Sequence, residues 1–322
     1  MSRGLLPTSS VILAGIFACV LAQDGDARAR RPRAAAARPG PVTRAPVPRP
    51  NETLEHLRAR YAFFKNGREM WGNGIGRKIA LTFDDGPSYR TTPRLLDHLD
   101  AFGVKATFFV NSKNFNRYGL LSSKSYAALV EVHRRGHLIG NHTYAHPLLT
   151  AIPAAKQRRQ IEHTERAIRE ITGVPTYLFR PPFGALSHYA KKLLRKHGTT
   201  VVMWNIGSDD DKHFNVSKVV NTLMRKLDML GGGIVLMHDT HYWTVEAVPY
   251  FLKAIRIEGC RQLARGEEPY DVVGLEYFYR PRKGHRQPDP QAQAAWLKRR
   301  AALVRRCQTP ARGPLPDFLR GE

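Results

Sequence analysis

From Lys78 onward, short apolar runs alternate with longer amphipathic stretches, and this alternation restricts the chain to a parallel sheet flanked by helices. Strand-like runs fall at 78–83, 106–110, 137–140, 178–180, 200–205, 232–238 and 270–274. Helical patterns lie between them, at 91–102, 124–135, 154–172, 186–197, 215–230 and 245–258. Seven strands in roughly two hundred residues fall just short of the eight of a regular barrel. The expectation is α/β, a closed or nearly closed seven-stranded (β/α) barrel.

Polar clusters follow five of these strands, where a barrel of this kind opens its C-terminal mouth. The first is Asp84-Asp85-Gly86-Pro87, after Lys78–Phe83. Asp, Gly and Pro also make ordinary turns. Here, however, neighbouring side chains at a strand exit point apart, so one carboxylate can serve a metal and the other a proton. The second is Asn141-His142-Thr143-Tyr144-Ala145-His146-Pro147, whose histidines, four apart, share a face if they form a brief helical turn. With Asp85 they make two imidazoles and a carboxylate, a donor set that suits a divalent ion and leaves a position open.

The remaining three clusters are Arg180-Pro181-Pro182-Phe183-Gly184, Trp204–Asp211 and His238-Asp239. Taken singly, each has a bland reading: a structural ion pair, a solvated acidic loop, a packed core histidine. All five at five strand ends do not.

In this order and at these intervals, LTFDDGP, NHTYAHP, RPPFG, the Trp204–Asp211 segment and IVLMHD resemble the five motifs of the polysaccharide deacetylases. This is the NodB-homology group, carbohydrate esterase family 4, and the match covers 78–275. The resemblance implies a distorted seven-stranded (β/α) barrel that removes N-acetyl groups from N-acetylglucosamine polymers with the help of one divalent metal. Zinc leads, with cobalt, nickel or manganese as alternatives. By the same resemblance Asp85, His142 and His146 become metal ligands, Asp84 the base tethered by Arg180, and Phe183 a backbone N–H donor to the oxyanion. His238 becomes the acid for the leaving amine, oriented by Asp210, and Leu236, Trp204 and Pro182 line the substrate pocket.

Three positions depart from the family pattern. Phe183 stands where Tyr is common, Gly207 where Asp is, and Asp211 where a pocket-walling Trp is. The last puts either pocket shape or the register of Asp209-Asp210-Asp211 in question. Hydrolysis of O-acetyl esters or non-sugar amides on the same scaffold competes with sugar deacetylation. So does an inactive glycan-binding barrel, although a binder has no need of the whole constellation.

The flanks narrow compartment and partners. Arg3, the apolar run Val11–Ala22 and the small-residue pattern Val20-Leu21-Ala22 read as a signal peptide over 1–22. An uncleaved anchor and a lipoprotein box ending at Cys19 are alternatives, the bulky Phe17 opposing the second. The expected location is extracytoplasmic, secreted or periplasmic.

Residues 23–50, rich in Pro, Ala and Arg, form a disordered linker, and 51–77 a lead-in packed through Tyr61, Phe63, Phe64, Met70 and Trp71. Residues 276–322 form a basic tail with a helix near 291–306. The net charge of +24 favours polyanionic surroundings. No segment reads as a nucleic-acid-binding motif, so the partner expected is a polysaccharide, peptidoglycan or chitin oligomers. Electrostatic contact with an anionic wall or membrane surface would run through the basic tails. Cys260 and Cys307 could pair in an exported chain; sequence leaves this open, and the reading leans slightly against it.

Overall fold

The computed structural model describes residues 54–73, 76–117, 120–121, 123–279 and 290–307. The expected signal peptide and linker and the end of the basic tail lie outside the described residues. The chain begins with α1 (Leu54–Ala62), β1 (Glu69–Met70), β2 (Lys78–Asp84), α2 (Thr92–Phe102) and β3 (Thr107–Val110). A small hairpin follows, β4 (Asn116–Arg117) with β5 (Leu120–Leu121), then α3 (Ser123–Arg134), β6 (Leu138–Asn141), α4 (Ala154–Thr172) and β7 (Leu178–Phe179). The second half runs α5 (His188–Lys196), β8 (Thr200–Val202), β9 (Ile206–Gly207), α6 (Val216–Leu230) and β10 (Gly233–His238). It ends with α7 (Tyr242–Ala264), β11 (Asp271–Val272) and α8 (Pro290–Cys307).

β2 is the strand on which the fold turns. Ile79, Leu81 and Phe83 pack on its outer side with residues of α2, α6 and α7, and Ala80, Thr82 and Asp84 are buried on its inner side. A strand covered on both faces belongs in the middle of a parallel sheet. Each fully buried apolar side chain of this kind contributes about 1.5–3 kcal/mol. β2 pairs in parallel with β3 on one side and β10 on the other, and its start also pairs with β11. The order across the sheet is β1-β8-β7-β6-β3-β2-β10-β9, every pairing parallel.

The seven expected strands are therefore present, with one modification. The run 200–205 does not form one strand. It bends at 203–205 so that β8 pairs with β1 and β7, and β9 with β10. Met203 N–H donates to Met70 and Asn205 N–H to Ile234, so one short segment links both margins of the sheet and curls it into a distorted barrel. The Asn205 side chain fixes this bend, its Nδ2 donating to Gly232 and its Oδ1 accepting from Ile234 N–H. Gly72 lies so close to that amide that a Cβ would not fit.

The lead-in is structured as α1 and β1, which periodicity alone did not reveal. Tyr61, Phe64 and Met70 are buried as expected, but Phe63 and Trp71 are exposed. Burial of three anchors is enough to hold so short a segment.

Helices α6, α7, α2, α3, α4 and α5 follow one another around the outside of the sheet, each packed on the next. Helix α8 packs on α7, and Cys260 and Cys307 are joined by a disulfide with Cα atoms 5.5 Å apart. The sequence reading leaned the other way. The pairing follows from the end of α8 packing on the end of α7, where Leu303 also lies against Gly259, and a 47-residue separation does not disclose it. Among the described residues no helix is long and apolar enough to cross a membrane.

Because α8 is attached chiefly through α7 and the disulfide, reduction or Cys307→Ser should release it locally. Hydrogen exchange of α8 amides is expected to accelerate while β2 and β10 stay protected. Unchanged protection of α8 would show that its packing suffices without the bridge.

Candidate metal centre and active site

The carboxyl ends of β2, β3, β6, β7 and β10 converge, and the polar clusters read from the sequence meet there. His238 lies beside Asp84 in the β10–β2 register, and Asn141 beside both Val110 and Phe179. Arg180 leaves β7 and is wholly buried. Its Nη1 donates to Asp84 Oδ1 at 2.8 Å and Thr82 Oγ1 at 2.7 Å, and its Nε to the Val202 carbonyl at 3.1 Å. The guanidinium lies over the Phe109 ring, 4.3 Å from its centroid. A planar fork with several donors suits this position in a way that lysine would not. Burial pushes the Asp84 carboxyl above its ordinary value, and the Arg180 charge and hydrogen bond pull against that rise. The carboxyl is thereby poised nearer to neutrality than a solvated aspartate.

Asp85 Oδ1 lies 3.6 Å from His142 Nε2 and 3.5 Å from His146 Nε2. The backbone reaches this arrangement in a way that simple periodicity does not describe. Asp85 adopts φ 72°, and its carboxylate and that of Asp84 both approach His142, Asp84 Oδ2 at 3.7 Å. The expected divergence of neighbouring side chains fails because that rule holds only for extended residues.

The histidines likewise form no helical turn. Thr143 has φ 72° and His146 φ 55°, and these left-handed residues bring the rings to 4.9 Å between centroids. Such conformations are uncommon for non-glycine residues and gather at functional sites. Local hydrogen bonds hold them: Thr143 N–H donates to Asn141 Oδ1, and His146 N–H to Thr143 Oγ1.

The donor set fits a divalent cation. Asp85 Oδ1 is buried and has no hydrogen-bond partner within the protein, an expensive arrangement unless something positive faces it. Three ligands at about 2.0–2.1 Å from a tetrahedral ion sit about 3.3–3.4 Å apart, close to the spacings between Asp85 and the two imidazoles. Burial, reinforced by His146, lowers the His142 ring to about 3 despite the Asp85 carboxylate, so it is neutral at physiological pH. Its Nδ1 hydrogen-bonds to the Arg180 carbonyl at 2.7 Å, which leaves Nε2 as the free donor.

On the far side of Asp85, His238 Nε2 stands 3.9 Å from Asp85 Oδ2. Its Nδ1 meets Asp210 Oδ1 at 2.7 Å, while Asp210 Oδ2 accepts from His238 N–H at 2.8 Å and Thr244 Oγ1 at 2.6 Å. Burial opposes a charged ring, but the Asp210 hydrogen bond and charge prevail and raise His238 to about 9. Asp210 faces His238, Asp209 pairs with Lys226 at 2.8 Å, and Asp211 is exposed.

The expected pocket residues separate. Leu236 is half-buried on the His238 side of β10, and Trp204 lies near Arg180, 5.6 Å from its guanidinium. Pro182 is buried, whereas Phe183 is exposed at φ 58° with its ring edge-on to His146. Sequence reasoning missed the residues that position these groups. Asn114 Nδ2 donates to the Asp85 carbonyl at 2.7 Å and to the Gly86 carbonyl at 3.1 Å, and Asn111 Nδ2 to the His142 carbonyl at 2.6 Å. Both follow β3, so their place just beyond a strand end was the available signal. Trp243, whose Nε1 donates to the Asp210 carbonyl, carried none.

A curled parallel sheet gathers paired aspartates and histidines at its carboxyl mouth, and Asp85, His142 and His146 there form a candidate site for a divalent ion. A model of the polysaccharide deacetylase family matches residues 72–202. The peptidoglycan-N-acetylglucosamine deacetylase of Listeria monocytogenes is 34% identical over 206 residues, 63% of this chain and 41% of that enzyme. The matched segment therefore spans about two fifths of that relative. The chitin deacetylase of Colletotrichum lindemuthianum is 32% identical over 59% of this chain and 78% of its own length. Among solved structures, the Bc1960 peptidoglycan N-acetylglucosamine deacetylase matches with a TM-score of 0.55 at 26% identity, over 67% of this chain and 94% of that one. The chain belongs to the polysaccharide deacetylase family.

The Arg180–Asp84 pair sets a stability expectation independent of catalysis. Arg180→Met should lower the unfolding free energy by about 3–5 kcal/mol, because it strands a buried carboxylate. Denaturant titration in chelator measures this, and a loss below about 1 kcal/mol would mean that the neighbouring backbone carries the site without the pair.

Proposed function

We propose that the protein is an exported, metal-dependent deacetylase that hydrolyses the N-acetyl groups of an N-acetylglucosamine-containing polysaccharide, peptidoglycan or chitin-like, and releases acetate. The observation that supports it most is the convergence of Asp85, His142 and His146 between Asp84 on one side and His238 on the other. The family membership and the activities named for its relatives supply the substrate class. The disulfide supports export, since such bridges persist in oxidising compartments.

Asp85, His142 and His146 would hold one divalent cation, with zinc the leading assignment and cobalt, nickel or manganese the alternatives. When bound, such an ion acidifies water and polarises a carbonyl oxygen. Asp84, held by Arg180 and raised by burial, takes the proton from the attacking water. The backbone N–H of Phe183, on its left-handed turn, donates to the carbonyl oxygen as negative charge builds there. His238 Nε2 then gives its proton to the sugar amine as the C–N bond breaks. Asp210 keeps that proton on the ring by accepting at Nδ1. Leu236 and Trp204 flank the acetyl group, and Phe183 offers the exposed face of its loop.

Purified protein loaded with zinc should release acetate from peptidoglycan or from N-acetylglucosamine oligomers. Chelation should abolish the release and re-addition of the ion restore it. Asp84→Asn should reduce turnover by at least about a hundredfold, within the usual range for loss of a general base. Bound metal without acetate release from either polymer would turn the reading to another acyl substrate.

The pH dependence tests the acid. His238 is protonated below about 9 and loses its proton as pH rises through that value. Activity should therefore fall along an alkaline limb. In Asp210→Asn burial acts on the ring without its counter-charge, so the limb should move to lower pH. An unmoved limb would assign it to another group.

A further inference from the structure

Phe214 is 70% exposed, on a loop that the proposed reaction does not use. Its ring is not loose. It stands edge-on against Trp243 with centroids 4.9 Å apart, and Trp243 is stacked on His241 at 4.8 Å. His241 in turn lies 5.3 Å from His238. A continuous row of four rings thus runs from the proposed acid to the protein surface. Trp243 is fixed by its hydrogen bond to the Asp210 carbonyl, the same residue that holds His238.

The backbone around Phe214 is pinned at both ends. Asp209 turns at φ 54°, pairs with Lys226, and its carbonyl accepts from Lys212 and His213. Asn215 caps α6 through a bond from Lys218 N–H to its side chain. A single exposed aromatic is ordinary by itself. One held on a rigid loop at the end of a row leading to the active site is preorganised for a ligand that continues outward from that site. The ligand class follows from the proposed reaction. A pyranose ring presents a face of C–H groups, and an aromatic face with its negative quadrupole is complementary to it.

We propose that Phe214, seated on Trp243, is a platform for a sugar ring of the polysaccharide beyond the one being deacetylated, so that the enzyme prefers longer chains. This rests on the deacetylase reading. Phe214 is a specificity-determining residue here and takes no part in the chemistry.

The test uses N-acetylglucosamine oligomers from dimer to hexamer on the full protein. In the Asp84→Asn background, calorimetry should show affinity rising with length and Phe214→Ala flattening that rise, with a loss of about three- to tenfold at the hexamer. In the active enzyme the same change should raise KM for the hexamer with little change in kcat, and Phe214→Trp should restore the length preference. A penalty equal at every length, or none at the hexamer, would overturn the platform while leaving the deacetylase intact. If the zinc-loaded protein neither binds these oligomers nor releases acetate from them or from peptidoglycan, the deacetylase reading falls and the platform with it.

Discussion

The buried pairing of Arg180 with Asp84 is the interaction on which the rest of the site depends. A guanidinium taken fully out of water is costly, and only a complete set of acceptors makes it tolerable. Those acceptors are Asp84 and Thr82 on β2, the carbonyl of Val202 at the end of β8 and that of Met203 just after it. One side chain thus ties strands from separate parts of the sheet across the inside of the barrel. The Arg180 carbonyl also meets His142 Nδ1 and so orients a proposed metal ligand. Fold and site are joined at that residue.

Around this pair the site is built from backbone in uncommon conformations. Asp85, Thr143, His146 and Phe183 all have positive φ, and each costs on the order of 1–3 kcal/mol. Asn111, Asn114 and Thr143 hold the loops with side-chain hydrogen bonds. Asp239 lies against Gly86, where no Cβ could fit, and its own side chain is held by Thr92. These bonds and contacts fix the groups at the mouth in place, the kind of arrangement that electrostatic catalysis by fixed groups uses.

His142, within the proposed ligand set, and His238, outside it, show how environment divides one residue type between roles. His142 is buried without a carboxylate at hydrogen-bonding distance and stays neutral, fit to donate an electron pair. His238 is buried against Asp210 and stays charged, fit to give a proton. Burial lowers both, and the partner decides the outcome.

Much of this was legible in order along the chain. The alternation of short apolar runs with amphipathic stretches determined a parallel α/β sheet, because both periods record which faces must be buried. The strand-end position of polar clusters made the candidates visible, and the resemblance of the five motifs to the polysaccharide deacetylases picked out Asp84, Asp85, His142, His146, Arg180, Asp210 and His238 among them. Tertiary structure alone decided the bend that splits 200–207 between two margins of the sheet, since that depends on which strands lie beside it. The same holds for the left-handed turns that make Asp84 and Asp85 converge and bring His142 to His146, which local periodicity cannot express. It holds too for the Cys260–Cys307 bridge and for the row from His238 to Phe214. Their members meet only through packing between helices and loops far apart in sequence.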